Sequence, residues 1–181
     1  KMSLDVVRMH VLRGFDTLAE ILGERPRTFA SPGWQCSEAS LAVEDELQLD
    51  YASDTRGSVP FLPRIGEKTF RTPQIPTTLP TLDEIMGLTV DKDYPRQLEE
   101  KLTPGLNVFT LHTEMEGMGC QAVFREFLTR AKEAGVTFVT LESVAEEIRR
   151  GSRSVAPATI AAAQLPGRAG VVWCQEGSAA G

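Results

Sequence analysis

No uninterrupted apolar run approaches the roughly 18 residues of a membrane-crossing helix. Residues 1–13 are an amphipathic mixture without the apolar stretch or cleavage site of a secretory signal. Neither a spanning helix nor a signal peptide is expected. Cysteine is scarce: Cys36, Cys120 and Cys174 form no C-x-x-C pair, which argues against a disulfide framework or thiolate zinc site and for reduced thiols. Histidine is scarcer, with only His10 and His112, so a metal site built from this chain would need carboxylates for most of its ligands. Positive charge is in deficit. With 19 Lys and Arg against 25 Asp and Glu, the net charge is −6, and nucleic acid is not expected as a partner. Internal repeats, a Gly-rich phosphate loop, a Ser-His-Asp order and an H-x-x-x-H pair are all missing.

What is present is globular. The chain has 181 residues, 41% apolar and 24% charged, which suits one packed core rather than a disordered segment. Leu4, Val7, Val11, Phe15, Leu18 and Leu22 recur at three- and four-residue steps, predicting an amphipathic helix that stops at Gly23 and has no N-cap ahead of it. Further helices are expected at residues 37–47 with Ser37 as cap, from the Thr81/Glu84 capping-box spacing to Gly87, and at 91–102, 120–134 and 143–150. Strands are expected at 28–30, 49–54, 107–112 and 136–139. Residues 55–80, with five prolines, read as one long functional loop with an extended piece at 74–78. The alternation of strand and helix favours parallel α/β packing. The expected division is a catalytic region over residues 1–150 and an Ala/Gly-rich tail over 151–181, with 171–174 docking.

In parallel α/β folds reactive groups collect at the carboxyl ends of strands, and three clusters fall at such ends: 31–34, 53–57 and 111–114. His112 reads either as a general acid or base or as a strand-end histidine capped by a carbonyl. Asp54 reads as an orienting carboxylate or as a turn aspartate bonding its own backbone. Arg56 reads as a fork for an anionic group or as a solvated ion pair. Trp34 is a pocket wall or plain core. Glu114 and Glu116 tune His112 or form a charged loop, and His10 is a surface or half-buried helix residue.

Four ordered blocks carry more than any single residue: Phe29-Ala-Ser-Pro-Gly-Trp34, Leu49-Asp-Tyr-Ala-Ser-Asp-Thr-Arg-Gly57, Gln74-Ile-Pro-Thr-Thr-Leu-Pro-Thr-Leu-Asp-Glu84 and Phe109-Thr-Leu-His-Thr-Glu-Met-Glu-Gly117. Together they resemble the polysaccharide deacetylase (NodB-like) superfamily, and within it the formamido-arabinose-phosphoundecaprenol deformylases. The resemblance implies a (β/α) barrel of seven or eight strands, a divalent metal held by one Asp and two His, a second Asp as general base, and a Leu-His histidine as general acid. The acid maps to His112. The metal-binding motifs of the family would precede the first helix here, so the chain is read as the C-terminal part of such a barrel with its first strands missing. On this reading no metal ligand lies in the chain, and the divalent metal belongs to the complete enzyme. Ala30 stands where the family's Arg-x-Pro motif has its arginine, leaving open what supports the base. The resemblance further implies a lipid-linked amino sugar as substrate, a role in lipid A modification, and a peripheral place on the bacterial inner membrane. Trp34 would wall the sugar pocket, Asp54 would orient His112 or the pocket, Arg56 would face the lipid-linked phosphate and Glu114 would line the substrate. A polysaccharide or peptidoglycan N-deacetylase and a non-catalytic carbohydrate-binding remnant are the competing readings.

Overall fold

The structure is a computed structural model that describes residues 2–89 and 92–177. Helix α1 spans Leu4–Leu22 and ends at Gly23 in the left-handed region (φ 78°). Contrary to the sequence reading it is capped: the Ser3 hydroxyl accepts from Val6 N at 3.4 Å, satisfying one of the free N–H groups of the first turn. The periodic stripe is only partly used. Val7 and Phe15 are buried, while Leu4, Leu18 and Leu22 stay 38–62% exposed. The helix leans on α2 (Glu38–Leu47), with the Arg8 guanidinium forked onto Glu46 at 2.8 Å. Helix α2 starts, as its spacing predicts, at a Ser37/Ser40 capping box.

The architecture is mixed α/β. Two short strands, β1 (Thr28–Phe29) and β2 (Tyr51–Ala52), pair in parallel. A second sheet has the order β4-β3-β5-β6, with β3 Phe61–Ile65, β4 Lys68–Thr69, β5 Ala156–Ala163 and β6 Val172–Gln175. Only β3–β5 is parallel in it; β3–β4 and β5–β6 are antiparallel. Purely parallel packing is thereby corrected, and among the described residues the ladders do not close into a ring. Gln74 bridges both Ala52 and Phe61, and Arg56 bridges both Thr77 and Cys174, so residues 52–56 and 74–77 stitch the two sheets together.

Two expectations about loops are overturned. Residues 55–80 are not a single loop, because β3 and β4 form a hairpin inside it. Pro63 obscures that strand in the sequence; it has no N–H, but its carbonyl still accepts from Phe70 N at 2.9 Å. The segment after Gly151 is likewise no loose tail. Its small residues form β5, which pairs with β3 on one edge and β6 on the other, and Ile160 joins Cys36, Leu41, Phe61 and Phe70 in one core cluster.

Helices α3 (Leu82–Leu88), α4 (Tyr94–Glu99) and α5 (Gln121–Glu133) share a second core of Leu82, Ile85, Leu98, Phe127 and Ala131. Helix α3 runs past Gly87 to Leu88. The helix expected at 91–102 is shorter, with Asp93 as its cap, and Asp91 lies outside the described residues. Helix α6 (Leu141–Arg149) begins earlier than expected because Thr140, not Ser143, caps it. Neither 107–112 nor 136–139 is a strand. Among the described residues Val108 bonds only to the 78–79 backbone and the Thr78 hydroxyl, and Phe138 and Val139 are 57% and 60% exposed. An apolar run acquires a strand's ladder only when a neighbour pairs with it, and none of the described strands does. An apolar groove of about 610 Å³, lined by Phe109, Leu111, Phe138, Val139, Leu141 and Val144 among others, lies beside these segments.

Candidate active site

The loops after β1 and β2 meet at Asp54, which has no exposed surface. Its Oδ1 accepts the Ser31 N–H, fixing the turn that carries Trp34, and its own N–H donates to Gln74 Oε1 at 2.9 Å. The Gln74 amide nitrogen then donates to Asp54 Oδ2 and to Glu44 Oε2, both at 3.2 Å. Glu44 is 1% exposed, and its Oε1 has no hydrogen-bond partner. Two carboxyl groups thus share one amide inside the protein with no cation between them. Burial first, and then the charge of Asp54, hold the Glu44 carboxyl well above the ordinary carboxylate range. The same burial, with the charges of Asp54 and Glu44, pushes the neighbouring Cys36 thiol up. Asp54 therefore anchors the turn that carries Trp34; of its two expected roles, orienting His112 or the pocket, its hydrogen bonds go toward the Trp34 turn and Gln74 and not to His112.

The sign of the pH effect follows. A carboxyl that holds its proton more tightly when folded contributes stability below the unfolded value of about 4.3, and loses it as pH rises toward the higher folded value. Glu44→Gln, which keeps the shape and cannot ionise, is expected to flatten the decline in Tm of the chain between pH 5 and pH 8. A Gln variant with the wild-type slope would assign that decline to another group.

Trp34 is 5% exposed and sits at a positive φ of 54°. Its indole N–H donates to Thr77 Oγ1 at 3.1 Å, and that hydroxyl is 2.8 Å from Thr110 Oγ1. Two guanidinium groups lie over its ring, Arg56 at 4.8 Å and Arg168 at 4.6 Å. Arg56 is 1% exposed: Nη1 reaches both Glu84 oxygens at 2.9 and 3.0 Å, and Nη2 donates to Leu79 O at 3.0 Å. In this arrangement its guanidinium faces Glu84 rather than a substrate anion. Glu84 is the residue whose weight the sequence does not reveal. Its capping spacing announces the bond from Thr81 N to Oε2 (3.0 Å), but not the pairing with Arg56 or the approach of Arg168 Nη1 to 3.6 Å.

His112 is half-buried. Its Nδ1 lies 3.8 Å from Asp83 Oδ1, next to Glu84 on α3. Its backbone N–H donates to Glu116 Oε2 at 2.8 Å, and its carbonyl accepts from Met115 and Glu116 at the entry to the π-turn Met115–Gly119. Of the two glutamates that follow, Glu116 is buried and supports this backbone, whereas Glu114 is exposed. His10 is also exposed, on α1. With Nδ1 toward Asp83, Nε2 is the ring atom left to exchange a proton with a bound molecule.

Among the described residues no group of three or more His, Cys, Asp or Glu is arranged to hold a metal ion. Asp54 is committed to Ser31 and Gln74, and His112 with Asp83 is a pair rather than a ligand set. These residues do not by themselves fit the divalent metal implied by the resemblance.

No family model matches the chain. A protein of Shewanella sediminis (strain HAW-EB3) named as a 4-deoxy-4-formamido-L-arabinose-phosphoundecaprenol deformylase (ArnD) is 36% identical over 132 residues, covering 71% of this chain and 42% of that protein. A protein of Wigglesworthia glossinidia brevipalpis with the same name is 33% identical over 171 residues, covering 92% of this chain and 59% of that protein. The chain thus spans about half the length of the curated relatives it matches. A crystal structure from Mycobacterium smegmatis, described as a polysaccharide deacetylase, superposes with a TM-score of 0.64 at 20% identity, over 90% of this chain and 62% of that one. At 33–36% identity the chain is similar, over 71–92% of its length, to proteins named as formamido-arabinose-phosphoundecaprenol deformylases, and its fold is similar to that of a polysaccharide deacetylase.

Proposed function

We propose that these 181 residues carry the general acid of a hydrolase that removes the formyl group from undecaprenyl-phosphate-linked 4-formamido-4-deoxy-L-arabinose, in lipid A modification. The observation that carries this reading is His112, half-buried, with Nδ1 facing Asp83 and its backbone fixed by buried Glu116. Amide hydrolysis adds water to the carbonyl carbon and breaks the C–N bond, and the nitrogen must gain a proton as it leaves, because an amide anion is a very poor leaving group. A protonated imidazole supplies that proton through Nε2, while Asp83 faces the opposite nitrogen. The products are formate and the free 4-amine. A divalent metal, when bound in the whole enzyme, would supply polarisation of the carbonyl and activation of the water.

Among the described residues no helix is long and apolar enough to cross a membrane. The lipid-linked substrate places the reaction at a membrane surface, and on this reading the enzyme is peripheral to the bacterial inner membrane. The test is product analysis with a full-length deformylase carrying these residues. Formate release from the formamido-arabinose lipid, without acetate release from N-acetylated chitin or peptidoglycan oligomers, is the expected result. Acetate release alone would transfer the assignment to a polysaccharide N-deacetylase, and binding of sugar without turnover would favour the carbohydrate-binding alternative.

A further inference from the structure

Arg56 is enclosed, but the second guanidinium on Trp34 is not. The Arg168 side chain is 23% exposed, and among the described residues its one charged contact is Glu84 Oε1 at 3.6 Å, beyond hydrogen-bond length. Arg56 already occupies both oxygens of that carboxylate at 2.9 and 3.0 Å. The cluster therefore holds two guanidinium charges and one carboxylate, and the uncompensated charge falls on the arginine that reaches solvent.

The backbone around Arg168 is shaped to hold it there. Gly33 has a φ of 63°, and a Cβ on it would come within 3.2 Å of Arg168 Nη2. Gly167, at φ 75°, lies so close to α3 that a Cβ would stand 2.4 Å from the Glu84 carbonyl. Both glycines sit where a side chain would displace either the guanidinium or the loop bearing it. Stacking on Trp34 at 4.6 Å fixes the plane of the fork and lowers the entropy lost on binding a planar or tetrahedral oxyanion.

We propose that Arg168 is the phosphate-binding residue of the site, taking the role that burial denies to Arg56. The inference rests on the deformylase reading for the identity of its ligand. Consecutive residues of α3 connect the two functions, with Asp83 facing His112 and Glu84 facing Arg168. In the 4-formamido sugar phosphate the reacting nitrogen and the anomeric phosphate lie on opposite sides of one sugar ring. A phosphate held by Arg168 sets that ring against the tryptophan side of the site and turns the nitrogen toward the histidine side.

The experiment uses a full-length deformylase carrying these residues, with geranyl phosphate, inorganic phosphate and uncharged geraniol as probes in equilibrium titrations. Arg168→Gln is expected to weaken geranyl phosphate binding by about tenfold or more, on the scale of a lost charge-assisted hydrogen bond, and to leave geraniol unchanged. Arg168→Lys is expected to restore much of the affinity, and the Tm of both variants reports whether the fold survives. In turnover assays Arg168→Gln raises KM far more than it lowers kcat. Geranyl phosphate binding equally well to wild type and to a folded Arg168→Gln would overturn the proposal. Inorganic phosphate binding as tightly as geranyl phosphate would overturn the lipid-headgroup assignment in favour of a free-anion site. If Arg168-dependent binding persists while formate release is absent, the phosphate subsite stands and the deformylase reading falls.

Discussion

Glu84→Gln is expected to lower stability by about 3–5 kcal/mol, the range for stranding a buried charge by deleting its partner, and to lower Tm by roughly 10 °C for a chain of this size. The reason is asymmetry. Among the described residues Glu84 is the one carboxylate facing Arg56 and Arg168, and it also accepts the Thr81 N–H. Neutralising it leaves a fully buried guanidinium facing an amide, with a second guanidinium against the same indole. Arg56→Met removes the opposite partner at smaller cost, because Glu84 keeps Arg168 at 3.6 Å and Thr81 N at 3.0 Å. Arg168→Gln is the mildest of the three, since its side chain is partly in water. The expected order of urea midpoints is therefore wild type, Arg168→Gln, Arg56→Met, Glu84→Gln. A Glu84→Gln variant more stable than Arg56→Met would show that Arg168 and Glu84 do not share the charge as the geometry indicates.

That order could not be read from the sequence, and the reason is physical. Local signals were legible because their partners lie within four residues: the Ser37 cap, the Thr81/Glu84 spacing, the Gly23 stop and the apolar periodicity of α1 and α5. Signals that depend on a distant partner were not. Glu44 and Glu84 look like ordinary helical glutamates, yet each meets its partners about 10 to 30 positions away, Asp54 and Gln74 for one and Arg56 for the other. The strand of residues 156–163 is hidden by composition, because alanine and glycine suggest a linker until β3 and β6 are seen on either side. Residues 107–112 and 136–139 show the converse error: apolar and β-branched residues promise strands, but a ladder is a property of two segments. The site divides the same way. His112 and Glu116 stand together in one motif, and Trp34 and Asp54 in turns, that the sequence shows, whereas the approach of Asp83 and of Arg168 has no local signature and emerges only when α3 and the loop before β6 are brought together.

His112→Ala, tested in a full-length deformylase carrying these residues, is expected to lower kcat for formate release by roughly 10²-fold or more, the usual scale of general acid catalysis. KM should change little, because the imidazole acts on the nitrogen mainly as the C–N bond breaks. The structure also supplies a graded control. Asp83 faces Nδ1 at 3.8 Å and is itself half in water, so Asp83→Asn should cost less than His112→Ala and should lower kcat without abolishing turnover. Glu116→Gln acts one step further away. It keeps a carbonyl oxygen for the His112 N–H, now donated to Glu116 Oε2 at 2.8 Å, and should leave kcat within a few-fold of wild type. His10→Ala, on the exposed surface of α1, should leave it unchanged. Metal content of the His112→Ala protein should equal that of wild type, since the proposed role of His112 is to protonate the leaving nitrogen and not to bind metal. Retained kcat in His112→Ala would return this histidine to the role of a loop residue capped by Glu116. Loss of metal with loss of activity would make it a ligand, and the proton for the leaving amine would then have to come from another residue.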